Sequence, residues 1–322
     1  MMLSTLKILE SIQDENEKCI LATIIQIEGS AYLREGTFMI IKENGEKVGM
    51  LSAGCLEEDL LLRCREIFQT EIPQTVIYDT SAIDDVGWGQ GMGCNGVIRI
   101  LVEPITQSLH TSLLSVKEAL VQGYAVYHEK EFSEDFTVKK SAFEIIDEDL
   151  VTSSLPTFYR TDEGYRFTYY FTPPPILCVF GAGEDAITLV DLASKIGFIV
   201  KLCDWRSGLC NEECFPNAHE YYIGSPSHIV DLLRISQSHF IVIMSHHFSK
   251  DQEFLHAVLN FSPAYIGILG SKERTRRLLP DPINRDHIHY PIGLPIGAQG
   301  PEEIAVSIMA EIIQTYRMNH GK

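Results

Sequence analysis

The sequence contains no run of 18 uninterrupted apolar residues, so it offers no candidate membrane span. Its N-terminus has no basic segment followed by a long apolar core, and we therefore expect no signal peptide. Basic residues are also scarce, since 26 lysines and arginines stand against 44 acidic residues and leave a net charge of −18. This balance argues against a general nucleic-acid-binding surface but is compatible with a local basic pocket that binds an anion.

No Cys-x-x-Cys pair occurs among the eight cysteines. Without an export signal, we expect reduced thiols and a cytoplasmic location. Cys210 and Cys214 lie four residues apart and His219 follows, so a zinc site is one interpretation of this segment. A fourth ligand is not evident, and the other interpretation is a pair of ordinary loop cysteines.

A glycine turn lies in the middle of the chain, after the apolar run 176–180. Gly181 and Gly183 let the backbone approach a pyrophosphate, and the helix that follows offers N–H groups and a positive dipole end. Asp204 ends a second apolar run and is placed to bond a ribose 2′-hydroxyl, while Arg206 leaves the choice between NAD and NADP open. Alanine replaces the third glycine of the usual fingerprint, and a vacant or repurposed crevice is the alternative interpretation.

At 322 residues, with 45% of them hydrophobic, the chain is long enough for two domains. Residues 172–175, Thr-Pro-Pro-Pro, mark the boundary because proline stiffens a linker and cannot continue a strand ladder. Short strands, amphipathic helices and a hairpin signal at Asn44-Gly45 predict a mixed α+β domain over residues 1–172. Alternating strands and helices predict a Rossmann-like, doubly wound parallel sheet over residues 176–322, so we predict an α/β protein.

A second candidate anion site follows a later strand of the same sheet. Gly270 and Ser271 open a basic helix, where the helix N-terminus and the serine hydroxyl are suited to hold a phosphate that Lys272 neutralises. The alternative interpretation is a solvated basic helix on an acidic protein.

Two histidines also follow a predicted strand. His246 and His247 lie directly after the apolar run 240–244, and Asp251 comes about one helical turn later. Strand ends at this edge carry function in open α/β sheets, so acid–base work or metal binding is one interpretation. A loop or packing role is the other.

Cys55 and Cys94 are the most suggestive thiols. Cys55 follows Gly54 at the predicted start of a helix, where the dipole favours thiolate, although Glu57 and Glu58 oppose that effect. Cys94 lies in the glycine-rich loop 84–96, where no large neighbour shields it. The alternative for both is a small residue that fills a tight turn.

Several segments together resemble the signatures of one family. In the first half these are EGSAYLREGTFM at 28–39, SAGCLE at 52–57 and GMGCNG at 91–96. In the second half they are VFGAG at 179–183, DWR at 204–206, YIGILGSK at 265–272, PIGLPIGA at 291–298 and PEEIAVSI at 301–308. The chain therefore resembles the XdhC/CoxI family, the xanthine dehydrogenase accessory factors, from about residue 10 to residue 315.

The resemblance implies a chaperone for molybdenum cofactor, in its molybdopterin or cytosine dinucleotide form. Such a protein binds the cofactor, protects it while a cysteine desulfurase installs the terminal sulfur, and delivers it to the xanthine dehydrogenase apo-subunit. Members are often labelled xanthine dehydrogenase, although they carry no molybdenum-hydroxylase domain. We expect a homo-oligomer, a dimer, and no catalytic residue is assigned.

The resemblance also gives a set of cofactor-binding residues, since it places Cys55 and Cys94 nearest the metal and its sulfur, where soft thiolate is a suitable neighbour. The full set comprises Arg34, Cys55, Cys94, Gly181, Gly183, Asp204, Arg206, Gly270, Ser271 and Lys272. The competing hypothesis is an NAD(P)-dependent oxidoreductase in which His246 or His247 supplies a proton. A third hypothesis is a nucleotide-responsive regulatory protein without chemistry of its own.

The chain departs from the family pattern at three places. Glu184-Asp185 stands where the family commonly has histidine after the glycine turn, and a carboxylate there would repel phosphate. Asn95 and Ala53 stand where the family commonly has glycine. Asparagine tolerates positive φ better than most residues, so the loop around it keeps its expected shape.

Overall fold

The computed structural model describes residues 3–14, 17–52, 54, 56–79, 96–151, 155–279 and 287–319. By internal contacts the chain divides into two compact units, one comprising Ser4–Pro173 and the other formed mainly by Pro174–Lys322. Among the described helices, none is long and apolar enough to cross a membrane.

The described residues of the first half form two antiparallel sheets with three α-helices, in the strand orders β3-β2-β1-β5-β4 and β7-β6-β9-β8. The elements are α1 (Leu3–Glu10), β1 (Cys19–Gly29), β2 (Phe38–Lys42), β3 (Lys47–Gly49), α2 (Glu57–Thr70), β4 (Gln74–Asp79), β5 (Gly96–Pro104), α3 (Gln107–Val121), β6 (Ala125–Phe132), β7 (Val138–Ile146), β8 (Thr157–Thr161) and β9 (Gly164–Phe171).

The five-stranded sheet is covered on both faces. Side chains alternate along β1, so that Ile20 packs in one cluster with Leu60 and Ile67 of α2. Leu21 points the other way and packs with Leu113 of α3 and other side chains of α1 and α3. Each such buried side chain contributes about 1.5–3 kcal/mol, so the two clusters hold helices against both faces of the sheet.

Within the part of the second half that the structure describes, the strands form a six-stranded parallel sheet, in the order β12-β11-β10-β13-β14-β15. Its elements are β10 (Ile176–Phe180), α4 (Ile187–Ile196), β11 (Ile199–Asp204), β12 (Glu220–Ile223), α5 (Pro226–Leu233), β13 (His239–Ile243), α6 (Phe248–Val258), β14 (Tyr265–Ile268), α7 (Lys272–Leu278), β15 (Ile288–His289) and α8 (Gly300–Asn319). This is the strand order of dinucleotide-binding folds, and the predicted α/β fold class is confirmed.

Helices cover both faces of this sheet. One face packs against α4 and α8, and the other packs against α5, α6 and α7. The central strand β13 is buried at every position, as expected of a parallel strand covered on both sides. Polar groups that bind a ligand are therefore expected at the carboxyl edge of the sheet, where the strands end.

Two details differ from the sequence prediction. The helix after the glycine turn begins with a short 3-10 segment, Glu184–Ala186, before α4 continues from Ile187. The strand β15 was not predicted, because two residues are too few to show an alternating pattern.

Candidate functional site

The glycine turn after β10 packs against the end of β13. Gly181 has a φ of +119°, and a Cβ atom at this position would lie 2.6 Å from the backbone N and Cα of Ser245. Only glycine allows both this conformation and this close approach. The strand order reverses between β10 and β13, so the turn lies at the switch point where open α/β sheets bind ligands.

The turn offers three backbone donors. The N–H groups of Gly183, Glu184 and Asp185 form no hydrogen bond within the described residues. They precede the 3-10 segment and α4, so the positive end of the helix dipole adds to their attraction for an anion. This arrangement is suited to a phosphate group.

Asp204 stabilises the glycine turn. Its Oδ2 accepts hydrogen bonds from the N–H of Ala182 and from Nη2 of Arg206, both at 2.7 Å. Its Oδ1 accepts from the N–H and Nε of Arg206, both at 2.9 Å. A carboxylate has about four acceptor positions, so none remains for the ribose hydroxyl that the sequence predicts here.

The charge of Asp204 is kept in a fully buried position. Burial acts to raise its pKa, but hydrogen bonds from Arg206 and Ala182 outweigh burial and hold the pKa below its ordinary value. The guanidinium of Arg206 also lies over the Trp205 ring, 4.6 Å from its centroid. Arg206 is thus a buried carboxylate's counter-ion, and its charge is not free for a 2′-phosphate.

A pair that the sequence did not predict lies across the switch point. Nε2 of His246 lies 2.6 Å from Oδ2 of Asp185, although the two residues are 61 positions apart. Oδ1 of Asp185 lies 2.5 Å from where a Cβ atom on Gly183 would be, so glycine at 183 makes room for this carboxylate. His246 has a φ of +60°, which is uncommon for a residue other than glycine. The carboxylate beside the turn is therefore held by a histidine, while Glu184 is exposed.

A buried network joins the ends of β13 and β14. The hydroxyl of Ser245 donates to Oδ1 of Asp251, which is fully buried on α6. Arg274 pairs with the other oxygen, Nη2 to Oδ2 at 2.6 Å, and donates from Nη1 to the carbonyl of Leu269 at 3.3 Å. The lack of a side chain at Gly270 lets Arg274 pass, since a Cβ atom there would lie 3.2 Å from its Cδ. The sequence analysis did not predict that Asp251 pairs with Ser245 and Arg274.

The second predicted anion site lies on the strand next to β13. Ser271 caps α7, because its Oγ accepts the N–H of Arg274 at 3.2 Å. Lys272 is exposed and forms no ion pair with any described residue. Gly270, Ser271 and Lys272 thus share the carboxyl edge of the sheet with the glycine turn, but the serine oxygen already serves as a helix cap.

A cavity of about 100 Å³ adjoins the glycine turn. It lies between α4, the ends of β13 and β14, and the first turns of α8. Among the described residues that line it, Asp185 is the one ionisable residue. The lining residues include Asp185, Leu189, Met244, Leu269, Ile304 and Ile308.

In the first unit, the five-stranded sheet brings several strand ends together. Gly29 at the end of β1 pairs with Gly96 at the start of β5, and the end of β4 also pairs with the start of β5. Met39 near the start of β2 pairs with Gly49 at the end of β3. The loops that follow β1, β3 and β4 therefore leave the same end of the sheet.

These three loops contain the predicted residues of the first unit. Arg34 lies in the first loop, is exposed, and forms no ion pair with the described residues. Cys55 and Cys94 belong to the second and third loops and lie outside the described residues. Gly54, Leu56 and Gly96 beside them are described.

The turn before α2 is organised by Glu57. Its buried carboxylate accepts the N–H groups of Leu51 at 3.0 Å and Ser52 at 2.7 Å, as well as the hydroxyl of Ser52. The Ser52 oxygen in turn accepts the N–H of Leu56 at 3.0 Å. Burial acts to raise the pKa of Glu57, but these hydrogen bonds lower it below its ordinary value. Glu57 thus holds Leu51 and Ser52 next to the start of α2, and Cys55 lies between them and α2 in the sequence.

The described cysteines do not form a metal site. Cys210 is buried and its Sγ lies near the carbonyls of Leu202 and Tyr222, while Cys214 is exposed. Nδ1 of His219 accepts the N–H of Val200 at 3.0 Å. Across the described ranges, no group of three histidine, cysteine or acidic side chains is placed to hold a metal ion. The zinc interpretation therefore finds no support there.

Two family sequence models match this chain. The XdhC Rossmann domain matches residues 177–312, and the XdhC and CoxI family matches residues 12–79. Both matches contain segments that the geometry brings together, the switch-point turn in the second half and the loops after β1 and β3 in the first.

Individual relatives agree with these matches. A Bacillus subtilis protein, described as a probable subunit of xanthine dehydrogenase, is 36% identical over 318 residues, which cover 95% of this chain and 96% of the relative. The molybdenum cofactor insertion chaperone PaoD from Escherichia coli is 23% identical over 310 residues, 91% of this chain and 82% of PaoD. A crystal structure of a protein called a xanthine dehydrogenase, from Bacillus halodurans, superposes with a TM-score of 0.89 at 42% identity and covers 98% of this chain and 96% of that one.

Proposed function

The chain belongs to the XdhC and CoxI family, and from that premise we propose that it carries molybdenum cofactor for a xanthine dehydrogenase. In this proposal it binds the cofactor as molybdopterin or as its cytosine dinucleotide form. It protects the cofactor while a cysteine desulfurase installs the terminal sulfur, and it delivers the product to the apo-subunit. The exchange takes place in the cytoplasm, and the carrier acts as a homodimer.

The observation that supports this proposal most directly is the set of unpartnered donors at the switch point. Molybdopterin carries a phosphate, and the N–H groups of Gly183, Glu184 and Asp185 offer an anion site in the described part of the chain. Gly181 provides the close approach of backbone that such a site needs. Lys272 follows β14, which is separated from β10 by β13, and supplies a positive charge at the same edge of the sheet.

The first unit supplies the remaining parts of the proposal. Cys55 and Cys94 are assigned to the metal side of the cofactor, because thiolate is a soft ligand suited to such a centre. Arg34 is assigned to an anionic group of the cofactor, since its side chain is exposed and without an ion pair among the described residues. All three residues belong to loops that leave one end of the same sheet.

The alternative, an NAD(P)-dependent oxidoreductase, depends on the same glycine turn and receives less support from it. Asp204 has no acceptor left for a ribose hydroxyl, and Arg206 is committed to Asp204. These residues do not fit a dinucleotide in the usual pose of the fold.

The delivery step is tested on the partner enzyme. A xanthine dehydrogenase produced with this chain should contain molybdenum and its terminal sulfido ligand. Without this chain it should fold but contain less cofactor or a cofactor that lacks the sulfur. A dehydrogenase that is fully loaded and sulfurated in the absence of this chain would contradict the proposal.

A further inference from the structure

We propose that the cavity beside the glycine turn is a subsite for an aminopyrimidinone ring, the group shared by pterin and guanine, and that Asp185 recognises that ring. The inference deepens the proposed function and rests on it in one respect, because it takes the ring to be the pterin of the carried cofactor. The cavity lies in the second unit, between α4, α8 and the ends of β13 and β14.

The walls of the cavity suit a flat ring. Leu189, Met244, Leu269 and Ile308 offer aliphatic surface, and about 100 Å³ of space lies between them. A heteroaromatic ring gains from burial against such surface, whereas a sugar or a bare phosphate would lose hydration without compensation. The walls therefore favour an aromatic ligand, with polar recognition confined to one point.

That point is the carboxylate of Asp185. Its Oδ2 is bound to Nε2 of His246 at 2.6 Å, which fixes the orientation of the side chain. Its Oδ1 forms no hydrogen bond with any other described residue. Because a carboxylate only accepts hydrogen bonds, the subsite selects a ring edge that donates.

The pattern of donors distinguishes the candidate rings. Pterin and guanine present an amino group next to a ring N–H, two adjacent donors that match a carboxylate. Cytosine and adenine present an amino group next to an unprotonated ring nitrogen, and nicotinamide presents its amide N–H beside a carbonyl oxygen. In each of these the second group is an acceptor that the carboxylate would repel. Asp185 therefore favours the pterin over a cytosine or nicotinamide ring at this position.

The turn and the cavity share one residue. The backbone N–H of Asp185 belongs to the anion-binding turn, and Asp185 is also among the residues that line the cavity. A ligand with both a phosphate and an aminopyrimidinone ring can thus use both features at once. This combination is the one that a pterin phosphate offers.

The test compares two ring probes on the full-length protein by fluorescence titration. Pterin carries the amino group, and lumazine has a carbonyl oxygen in its place. We expect lumazine to bind at least about 10-fold more weakly than pterin, because it loses a charge-assisted hydrogen bond and gains a repulsive acceptor. Equal affinities for the two probes would overturn the inference.

Single-residue variants identify the side chains that bind the ring. Asp185→Asn should weaken pterin binding about 10- to 100-fold and abolish the preference over lumazine. Asp231→Asn is the matched control, since it removes the same charge from an exposed residue of α5 that belongs to neither the turn nor the cavity, and it should bind pterin as the parent does. Ala305→Leu, which fills the cavity from α8, should weaken both probes. Unchanged pterin binding in a folded Asp185→Asn protein would overturn the inference.

A separate readout distinguishes this inference from the proposed function. Molybdenum content is measured on the same proteins after production in a host that makes the cofactor. A parent that carries molybdenum but does not distinguish pterin from lumazine would leave the proposed function standing and overturn the subsite. A parent that distinguishes the two probes through Asp185 but carries no molybdenum would support the subsite and contradict the carrier function.

Discussion

The carboxylate of Asp204, at the end of β11, accepts a 2.7 Å hydrogen bond from the N–H of Ala182 in the glycine turn after β10. The same carboxylate is paired with Arg206, which stacks on Trp205. One acidic side chain therefore links the ends of two neighbouring strands. Its hydrogen bond to Ala182 stabilises the conformation of the turn that offers N–H groups to an anion.

Asp204→Asn should destabilise the second unit by about 2–4 kcal/mol, because it removes the charge from a buried pair and replaces an acceptor with a donor. Asp231→Asn, at an exposed position of α5, is the control and should change stability by less than about 0.5 kcal/mol. Urea unfolding in a Trp88→Phe background measures both, since Trp205 is then the only tryptophan. Equal stabilities of the two variants would contradict the structural role of Asp204.

The free energy of unfolding should also decrease as the pH is lowered, and the decrease should begin above the pH range in which carboxylates titrate. Burial, with a smaller effect of Lys201, lowers the pKa of His239 to about 4, and burial lowers that of His128 well below its ordinary value. A group whose pKa is depressed by folding contributes its full stability above its unfolded pKa, about 6.5, and loses it as the pH falls towards the folded value. For His239 this amounts to a loss of about 3 kcal/mol between pH 6.5 and pH 4.

Urea unfolding at a series of pH values measures this dependence. His239→Asn keeps an acceptor near Ser236 and should flatten the curve for the second unit between pH 6.5 and pH 4.5. Replacement of the exposed His228 by Asn should leave the slope unchanged. Below about pH 5, Asp204, Glu57 and Glu311 add to the loss in both proteins, because their pKa values are also lowered by folding.

Gly181→Ala should destabilise the second unit by about 3 kcal/mol or more. The new Cβ would lie 2.6 Å from the backbone of Ser245, and φ at this position is +119°. Gly208→Ala is the matched control, because no atom lies within 4 Å of its Cβ position, and it should be neutral or slightly stabilising. Thermal unfolding compares the two, and a fully stable Gly181→Ala protein would contradict the packing of the turn against β13.

Glu57→Gln should loosen the chain at Leu51 and Ser52, shortly before Cys55 in the sequence. An amide cannot accept all three hydrogen bonds that the carboxylate receives from Leu51 and Ser52, so we expect a loss of about 1–3 kcal/mol and a lower molybdenum content. Glu58→Gln is the control, since Glu58 is exposed and pairs with Lys47 at the surface. Equal molybdenum contents of the two variants would show that the turn does not need Glu57.

The sequence predicts the frame of the site better than its side-chain chemistry. The glycine turn and the parallel sheet depend on local patterns, and the apolar run 176–180 has the same bounds as β10. The pairing of Asp185 with His246 joins residues 61 positions apart, and no periodicity links them. The role of Asp204 depended on the direction of the Arg206 side chain, which the sequence does not specify.

The measurement that tests the carrier function most directly is the molybdenum and pterin content of the protein purified from a host that makes the cofactor. Three single variants are purified in parallel, Cys55→Ser, Cys94→Ser and the control Cys214→Ser. The control replaces an exposed thiol of the second unit. The account predicts near-stoichiometric molybdenum and pterin in the parent and the control, with a loss in one or both of the other variants. A parent that contains neither molybdenum nor pterin but retains NAD or NADP would contradict it.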